Sequence, residues 1–168
     1  MTHATRWRPT RAGLLNCYRF DDEVFAFAGG RLLLRGNNGT GKTRVLALTL
    51  PFLLDGTVAA ERVEPDGDRS RRFEWHLLMD RFHERSGYCW LEFRRRDDTG
   101  EERVCTIGCG LRALQGHQGL RARWFFVTRQ RVGPDFPLKR GDGTPWTREE
   151  CKAGLGEQGT LYETRSEE

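Results

Sequence analysis

The sequence predicts an α/β fold, with a mixed sheet around a glycine-rich loop and an added antiparallel β region from about residue 87 to 138. Three observations support this fold class. An unbroken apolar run ends at the loop, a segment with apolar residues at helical spacing follows it, and alternating apolar and polar residues separated by turns come later. A chain of 168 residues can form one domain with a buried core.

Three strands are predicted before the loop. Residues 14–20 and 23–27 contain the apolar and aromatic side chains typical of strands, and a glycine pair supplies the turn that follows them. Residues 31–35 include three consecutive leucines without alternation. A strand covered on both faces of an α/β sheet has this pattern, so a buried strand is predicted at 31–35.

A helix is predicted directly after the loop, because apolar residues recur at helical spacing from about Lys42 to Asp55. Pro51 predicts a kink or an early end of this helix. Residues 57–72 are rich in charged residues, Gly and Pro and have no apolar period, which predicts a long, mobile surface loop. A short helix is expected over about 73–82.

The second half of the chain is predicted to consist mainly of antiparallel strands. Strands are expected at 88–94 and 103–111, joined by a hairpin turn, with a further strand at 123–128. Thr147 and Glu150 have the spacing of a capping box, which predicts a helix of about two turns after them.

The composition indicates a cytoplasmic protein with a mild excess of positive charge. The net charge is +4, and of the 28 basic residues three are lysines, at positions 42, 139 and 152. An arginine-rich chain is compatible with a nucleic-acid partner, although charge spread over solvated faces explains the bias equally well. Five cysteines without a Cys-x-x-Cys pair are interpreted as buried thiols in a reducing compartment. No segment is long and apolar enough to predict a membrane span.

The glycine-rich loop carries the strongest functional signal. The pattern Gly-x4-Gly-Lys-Thr matches a chain of this length by chance roughly 1% of the time, and here it lies between a predicted strand and a predicted helix. Its glycines allow backbone N–H groups to point at phosphate oxygens, and the helix N-terminus adds partial positive charge. ATP with Mg²⁺ is therefore the predicted ligand. The predicted binding residues are Gly36, Asn37, Asn38, Gly39, Thr40, Gly41, Lys42, whose ammonium would reach the β and γ phosphates, and Thr43, whose hydroxyl would ligate Mg²⁺.

Residues for hydrolysis and for further contacts are harder to identify. A magnesium carboxylate should follow a buried strand, but the nearest match, Asp80, lies in a segment with helical spacing and is interpreted as a surface acid. The remaining candidates for metal binding or DNA contact are explained more simply as solvated charges or as ordinary positions on a strand or helix. These candidates are His76 and His83 as a helical pair, Cys105 and Cys109 on a strand, and, as possible contacts to DNA or a partner, Arg69, Arg71 and Arg72 together with Arg94, Arg95 and Arg96.

Several strings resemble the N-terminal lobe of SMC-like ATPase heads, which belong to the ABC class of P-loop NTPases. They are Leu-Leu-Asn-Cys-Tyr-Arg-Phe at 14–20, Arg-Leu-Leu-Leu-Arg-Gly at 31–36 and Asn-Asn-Gly-Thr-Gly-Lys-Thr at 37–43. Within that class the chain is similar to the SMC-like ATPase of Wadjet-type plasmid-defence systems. The strings that carry this similarity are Arg-Trp-Arg-Pro at 6–9, Leu-Pro-Phe-Leu-Leu-Asp-Gly at 50–56, and the segments 87–93, 106–111 and 124–136.

The resemblance implies the ATP-binding part of a motor that acts on DNA. In that family the nucleotide lies between two heads, and coiled coils join this lobe to a C-terminal lobe that carries the signature motif and the second acidic motif. Neither later motif is found in these 168 residues, and Gln130 comes too early to match the family's glutamine. The expectation is a partial head that does not hydrolyse ATP alone, as a truncated gene product, a split gene or an artificial segment. Its implied partners are a C-terminal lobe, a second head, DNA and kleisin-type subunits.

Two alternatives stay open at this point. A small stand-alone P-loop kinase should possess its own acidic magnesium motif and a mobile lid that carries arginine, and residues 57–72 supply arginines but no convincing acid. A non-catalytic module that binds DNA or assists assembly would have a vestigial loop, or a loop occupied after a partner joins.

Overall fold

A computed structural model describes residues 6–60 and 72–163. These residues form an α/β architecture with a six-stranded antiparallel sheet and few helices. Along the chain the elements are β1 (Arg8–Cys17), β2 (Phe20–Ala26), α1 (Lys42–Asp55), α2 (Phe73–Leu78), β3 (Glu84–Arg96), β4 (Glu102–Leu114), β5 (Ala122–Thr128), α3 (Arg148–Leu155), a 3₁₀ helix (Gly156–Gln158) and β6 (Gly159–Glu163). The strand order across the sheet is β2-β1-β3-β4-β5-β6.

The predicted mixed sheet is wrong, because all five pairings between these strands are antiparallel. The predicted strand at 31–35 is also wrong in the described structure. Arg31 forms an isolated bridge with Ala28, and residues 32–35 form none. Three leucines in a row indicate that apolar surroundings are needed, but they do not supply hydrogen-bonding neighbours. The antiparallel region is therefore the centre of the sheet rather than an addition to it.

Each face of the sheet supports its own hydrophobic core. Successive residues of a strand point to opposite faces, so Leu14 of β1 belongs to one core and Leu15 to the other. The first face packs against α1 and α2, with Phe52 and Phe73 fully buried between helices and sheet. The second face packs against the segment from 129 to 155, which includes α3.

Most remaining predictions of secondary structure are confirmed, with shifted boundaries. β1 begins at Arg8 rather than near residue 14, and α1 continues through Pro51 to Asp55, so an early end there is wrong. The buried α1 residues Val45, Leu48 and Phe52 hold the helix on the sheet beyond the proline. Thr147 and Glu150 form the predicted capping box. Most of the predicted loop at 57–72 lies outside the described residues. Within the described residues, no helix is long and apolar enough to cross a membrane.

Aromatic rings on the second face lie directly over glycines of neighbouring strands. Trp90 pairs with Gly13 in the β1–β3 register, and Trp124 pairs with Gly110 in the β4–β5 register. A Cβ atom at Gly110 would lie 2.1 Å from Cε2 of Trp124, and one at Gly13 would lie 2.2 Å from Cε2 of Trp90. The missing side chains therefore make room for the two indole rings, which would otherwise have to leave the core.

We expect Gly110→Ala to lower the free energy of unfolding by about 1–3 kcal/mol, because the methyl group overpacks a core that cannot expand freely. Urea denaturation followed by tryptophan fluorescence measures the change. Gly141→Ala is the matched control, since a Cβ atom there meets nothing within 4 Å. Equal stability of the two variants would contradict the packing described for Trp124.

A buried carboxylate ties β1 to β3 at the sheet's second face. Glu92 is inaccessible to solvent and accepts hydrogen bonds from Thr10 Oγ1 at 2.7 Å and from Arg94 Nε at 2.9 Å. Arg11 donates to the same carboxylate and also to the carbonyl of Val132, at 2.9 Å. Burial alone raises the pKa of Glu92, but the hydrogen bonds from Arg11, Thr10 and Arg94 outweigh it and lower that pKa to about 2.

A folded-state pKa of about 2 lies below the ordinary glutamate value, so Glu92 stabilises the fold fully above about pH 5 and loses this contribution as the pH falls towards 2. We expect Glu92→Gln to lower the free energy of unfolding at pH 7 by about 3 kcal/mol, since it leaves Arg11 and Arg94 without their shared charge partner. The variant should also lose less stability than the wild type between pH 5 and pH 3.

Chemical denaturation at several pH values tests both effects. Glu157→Gln, at an exposed position of the 3₁₀ helix, controls for the removal of one carboxylate. The same acid dependence in the wild type and in Glu92→Gln would show that Glu92 is not a main source of pH-dependent stability.

Candidate phosphate-binding site

The glycine-rich loop occupies the connection between the unpaired segment 32–35 and α1. Gly36, Gly39 and Gly41 have φ angles of 154°, 83° and 92°, a region that side chains with a Cβ atom rarely adopt. A Cβ atom at Gly36 would lie 2.9 Å from Oγ1 of Thr40. The glycines therefore permit both the left-handed turns of the loop and its close approach to itself.

Lys42, the first residue of α1, folds back over the loop. Its ammonium donates hydrogen bonds to the carbonyl of Gly36 at 2.6 Å and to the carbonyl of Asn37 at 2.7 Å. The Thr40 hydroxyl donates to the same Asn37 carbonyl at 2.8 Å. The loop thus holds a positive charge against its backbone, and the ammonium lies where it can exchange carbonyl oxygens for the stronger contacts of phosphate oxygens.

The N-terminus of α1 adds a second source of positive potential. This helix has 14 residues and begins after Gly41, which adopts the left-handed conformation and has no side chain to cap it. No acidic residue lies in its first turn. The N–H groups of the first turn have no partners within the helix, so they can donate hydrogen bonds to an anion.

A concave hollow of about 310 Å³ lies at the loop. Five of the predicted binding residues line it, and the structure adds two that the sequence did not indicate. The predicted ones are Asn38, Gly39, Gly41, Lys42 and Thr43, and the added ones are Tyr18 and Arg44. Arg44 follows the motif directly, whereas Tyr18 is distant in sequence and no local pattern could have placed it there.

Side chains at the turn between β1 and β2 pack against the end of the loop, at Gly41. A Cβ atom at Gly41 would lie 3.3 Å from Cε1 of Tyr18 and 3.3 Å from Cζ of Phe20. The two rings contact each other at a centroid distance of 6.1 Å, and Tyr18 also contacts Trp75 of α2 at 6.4 Å. Aromatic side chains from the β1–β2 turn and from α2 therefore support Gly41, the residue directly before α1.

The donor set of this hollow fits a magnesium-bound triphosphate. Three glycines at positive φ, an ammonium and an uncapped helix N-terminus all favour phosphate oxygens. Thr43 is exposed at the start of α1, so its hydroxyl can ligate Mg²⁺. Among residues 6–60 and 72–163, no group of three or more His, Cys, Asp or Glu side chains could hold a metal ion.

Asp80 is not on a helix, contrary to the prediction. α2 ends at Leu78, and Asp80 lies in the following turn with a φ of 56°. Its carboxylate accepts a hydrogen bond from Nε1 of Trp75 at 3.0 Å. The prediction of a helix to residue 82 fails because Met79, with a φ of 51°, closes α2 in the left-handed conformation.

The structure also separates the other candidate ligands. His76 is fully buried in α2, whereas His83 is exposed beyond it, so the predicted helical pair is wrong. Cys105 and Cys109 lie on β4 as predicted. Burial raises the pKa of both thiols, which makes them poorer metal ligands and nucleophiles.

Gln130 is committed to structural hydrogen bonds on the sheet face opposite α1. Its amide nitrogen donates to the carbonyl of Gly154 at 3.2 Å, and its side-chain oxygen accepts from Thr128 Oγ1 at 3.0 Å. Its backbone carbonyl accepts from Thr106 Oγ1 at 2.8 Å. These contacts anchor the segment that leads to α3 and direct the glutamine away from the phosphate loop.

The arginines proposed as DNA or partner contacts have different positions. Arg69 and Arg71 lie outside the described residues. Arg72 is exposed at the start of α2 and lines a separate hollow of about 590 Å³ together with Gly56 and Glu74. None of the described arginines predicted for that role lines the hollow at the phosphate loop. Arg44, which was not predicted for that role, does line it.

The run of three arginines at the end of β3 is partly neutralised. Arg94 bonds to Glu92 at 2.9 Å and to Glu102 at 2.8 Å, and the Arg95 guanidinium stacks on the Trp7 ring at 4.9 Å. A larger concave hollow, of about 830 Å³, lies near the start of α3, and its four arginines are likewise paired with carboxylates. These surfaces carry mixed charge, so the site is assigned to the smaller hollow at the loop.

Comparison with models of known protein families finds no match, and a search of curated proteins finds no sequence with significant similarity. The assignment of the site therefore rests on its geometry and on the residues themselves.

Proposed function

We propose that the chain is the ATP-binding N-terminal lobe of an SMC-like ATPase that acts on DNA. The observation that carries the proposal is the loop at 36–43, which has three glycines at positive φ and whose Gly36 and Asn37 carbonyls hold the Lys42 ammonium at the N-terminus of α1. A turn that served only to lead into a helix would not need a lysine folded back onto its own carbonyl groups. Mg²⁺ is the metal that accompanies the triphosphate at such a loop, with Thr43 as its protein ligand.

Exposed leucines support the proposal that this lobe is completed by another one. Leu33 is 72% exposed in the unpaired segment before the loop, and Leu46 and Leu54 on the outer side of α1 are 42% and 73% exposed. The segment and the helix that flank the loop therefore both lack a covering layer. A C-terminal lobe, as the resemblance implies, would pair with residues 31–35 and cover these side chains.

Hydrolysis is assigned to the completed head rather than to this chain. The described residues that line the loop's hollow include no carboxylate, and the nearest sequence candidate, Asp80, is bonded to Trp75. In the proposed assembly the second acidic motif, the signature motif and the second head lie outside residues 1–168. DNA and kleisin-type subunits are the further partners, and the net charge of +4 is compatible with DNA.

We expect Lys42→Ala to weaken the binding of Mg²⁺-ATP on the order of 100-fold, because the variant loses a charged hydrogen-bond donor to the phosphates. Isothermal titration calorimetry of the chain with Mg²⁺-ATP measures the dissociation constant. Lys152→Ala is the matched control, since it removes a lysine from an exposed position of α3.

Retention of affinity in Lys42→Ala would overturn the assignment of the loop. ATP turnover by the wild-type chain alone, lost in Lys42→Ala, would keep the binding site but contradict the assignment of hydrolysis to a completed head.

A further inference from the structure

We propose that β6 binds an extended acidic segment of a partner protein, which adds to the sheet as a further strand antiparallel to β6. This inference goes beyond the proposed function, because β6 and the β1–β2 hairpin that contacts the phosphate loop lie at opposite edges of the sheet. Among the described residues, no strand pairs with β6 on its outer side. An open edge of this kind is a template on which another strand can form hydrogen bonds.

The pairing of β5 with β6 determines which backbone groups of this edge point outward. The amide of Arg129 donates to the carbonyl of Gln158 at 2.9 Å, and this pair continues the β5–β6 register. Hydrogen-bonded pairs recur at every second residue of an antiparallel ladder, so the next such residues of β6 are Thr160 and Tyr162. The N–H and C=O groups of Leu161, between them, therefore point away from β5, where a further strand can bond to them.

A hollow of about 700 Å³ lies beside this edge on the first face of the sheet. Its lining includes Trp7, Val127 of β5, and Thr160 and Tyr162 of β6. Trp7, Val127 and Tyr162 are large apolar side chains that remain exposed. Successive residues of a strand point to opposite faces, so a strand added to β6 would direct every second side chain towards this hollow. The hollow can therefore select side chains, while the backbone of β6 supplies hydrogen bonds.

The charged residues of the hollow favour an acidic side chain. Of its three arginines, Arg103 is bonded to Asp97 at 2.8 Å, and Arg95 stacks on an indole ring at 4.9 Å. Arg129 is exposed, and no carboxylate of the described residues forms an ion pair with it. Glu157 is the other acid in the described lining, so two arginines face one remaining carboxylate. The excess charge of the hollow is therefore positive.

A second copy of the chain would complement this edge less well than an acidic partner. The side chains of β6 on the first face are those of Thr160 and Tyr162, whose partners in β5 belong to that face. Glu163, the acidic residue of β6, lies on the second face and is bonded to Arg148 at 2.9 Å. Pairing of two β6 strands would therefore bring no carboxylate of β6 to Arg129.

The edge specifies a short pattern in the partner strand. An apolar side chain would lie beside Tyr162 and Val127, and acidic ones at the following alternate positions would point towards Arg129. The residue after the apolar one would exchange backbone hydrogen bonds with Leu161, because the outward groups of Leu161 lie between these positions. Apolar and acidic side chains therefore share the first face of the added strand.

Fluorescence polarisation with a labelled synthetic peptide tests the inference on the full chain. The probe is Thr-Phe-Thr-Asp-Thr-Asp-Thr, with capped ends so that the aspartates are its charged residues. We expect Arg129→Glu to weaken its binding about 10-fold, and to bind the peptide with lysine in place of both aspartates more tightly than the wild type does. Arg121→Glu makes the same charge change at an exposed arginine outside the hollow and should bind like the wild type.

N-methylation of the peptide distinguishes strand addition from attraction between charges. Methyl groups on the backbone nitrogens of the third and fifth peptide residues would remove the donors that face β6, so binding should be lost. Methyl groups on the second and sixth nitrogens, which face away from β6, should leave the affinity within about threefold of the unmodified probe.

Other results would overturn the inference. No binding of the probe by the wild type, or equal binding of the two N-methylated peptides, would exclude strand addition. Binding of single-stranded oligothymidylate instead of the probe, lost in Arg129→Glu, would assign the hollow to nucleic acid. Dimerisation of the wild type in analytical ultracentrifugation, lost in Leu161→Pro, would assign the edge to a second copy of the chain. Each of these results would leave the binding of Mg²⁺-ATP at the loop untouched.

Discussion

Aromatic rings packed over strand glycines form the core on the second face of the sheet. Trp90 over Gly13 and Trp124 over Gly110 fill the second core without pushing the strands apart. Each indole lies close to the backbone of the neighbouring strand, and α1 and α2 pack on the opposite face of the same strands. The position of the phosphate loop depends on this arrangement, because the loop has no regular structure and takes its place from the start of α1 and from β1.

The loop is connected to the sheet through one short turn. Tyr18 and Phe20 at the end of the β1–β2 hairpin contact Gly41, and Trp75 of α2 contacts Tyr18. The same hairpin is fixed by Arg85, whose buried guanidinium donates to backbone carbonyls of Tyr18 and Leu77. Burial lowers the pKa of Arg85, because an enclosed charge loses its hydration. Its hydrogen bonds offset part of that cost and join β3, the hairpin and α2 at the point from which the loop is supported.

Secondary structure was predicted best where a short sequence pattern reflects interactions between residues close together in the chain. The capping box at Thr147 and Glu150 and the helix after the loop follow from short-range hydrogen bonds and apolar spacing. The mixed sheet was wrong because three consecutive leucines report the need for apolar surroundings and say nothing about which strands pair. The position of Tyr18 at the site could not be predicted from the sequence, since it depends on the pairing of β1 with β2 and on the packing of α2 against their turn.

The exposed leucines show that apolar surface is left uncovered in one part of the molecule, in the segment before the loop and along α1. Each face of the sheet has a buried core, yet Leu33 before the loop and Leu46 and Leu54 along α1 are 72%, 42% and 73% exposed. Burying one leucine side chain contributes about 1.5–3 kcal/mol, so three of them would favour a covering lobe by several kcal/mol before the entropy of association is subtracted. A strand paired with residues 31–35 would also give their backbone groups hydrogen-bond partners and fix the loop where it leaves the segment. Completion of the lobe and ordering of the phosphate site would therefore be coupled, since both act on the residues just before Gly36.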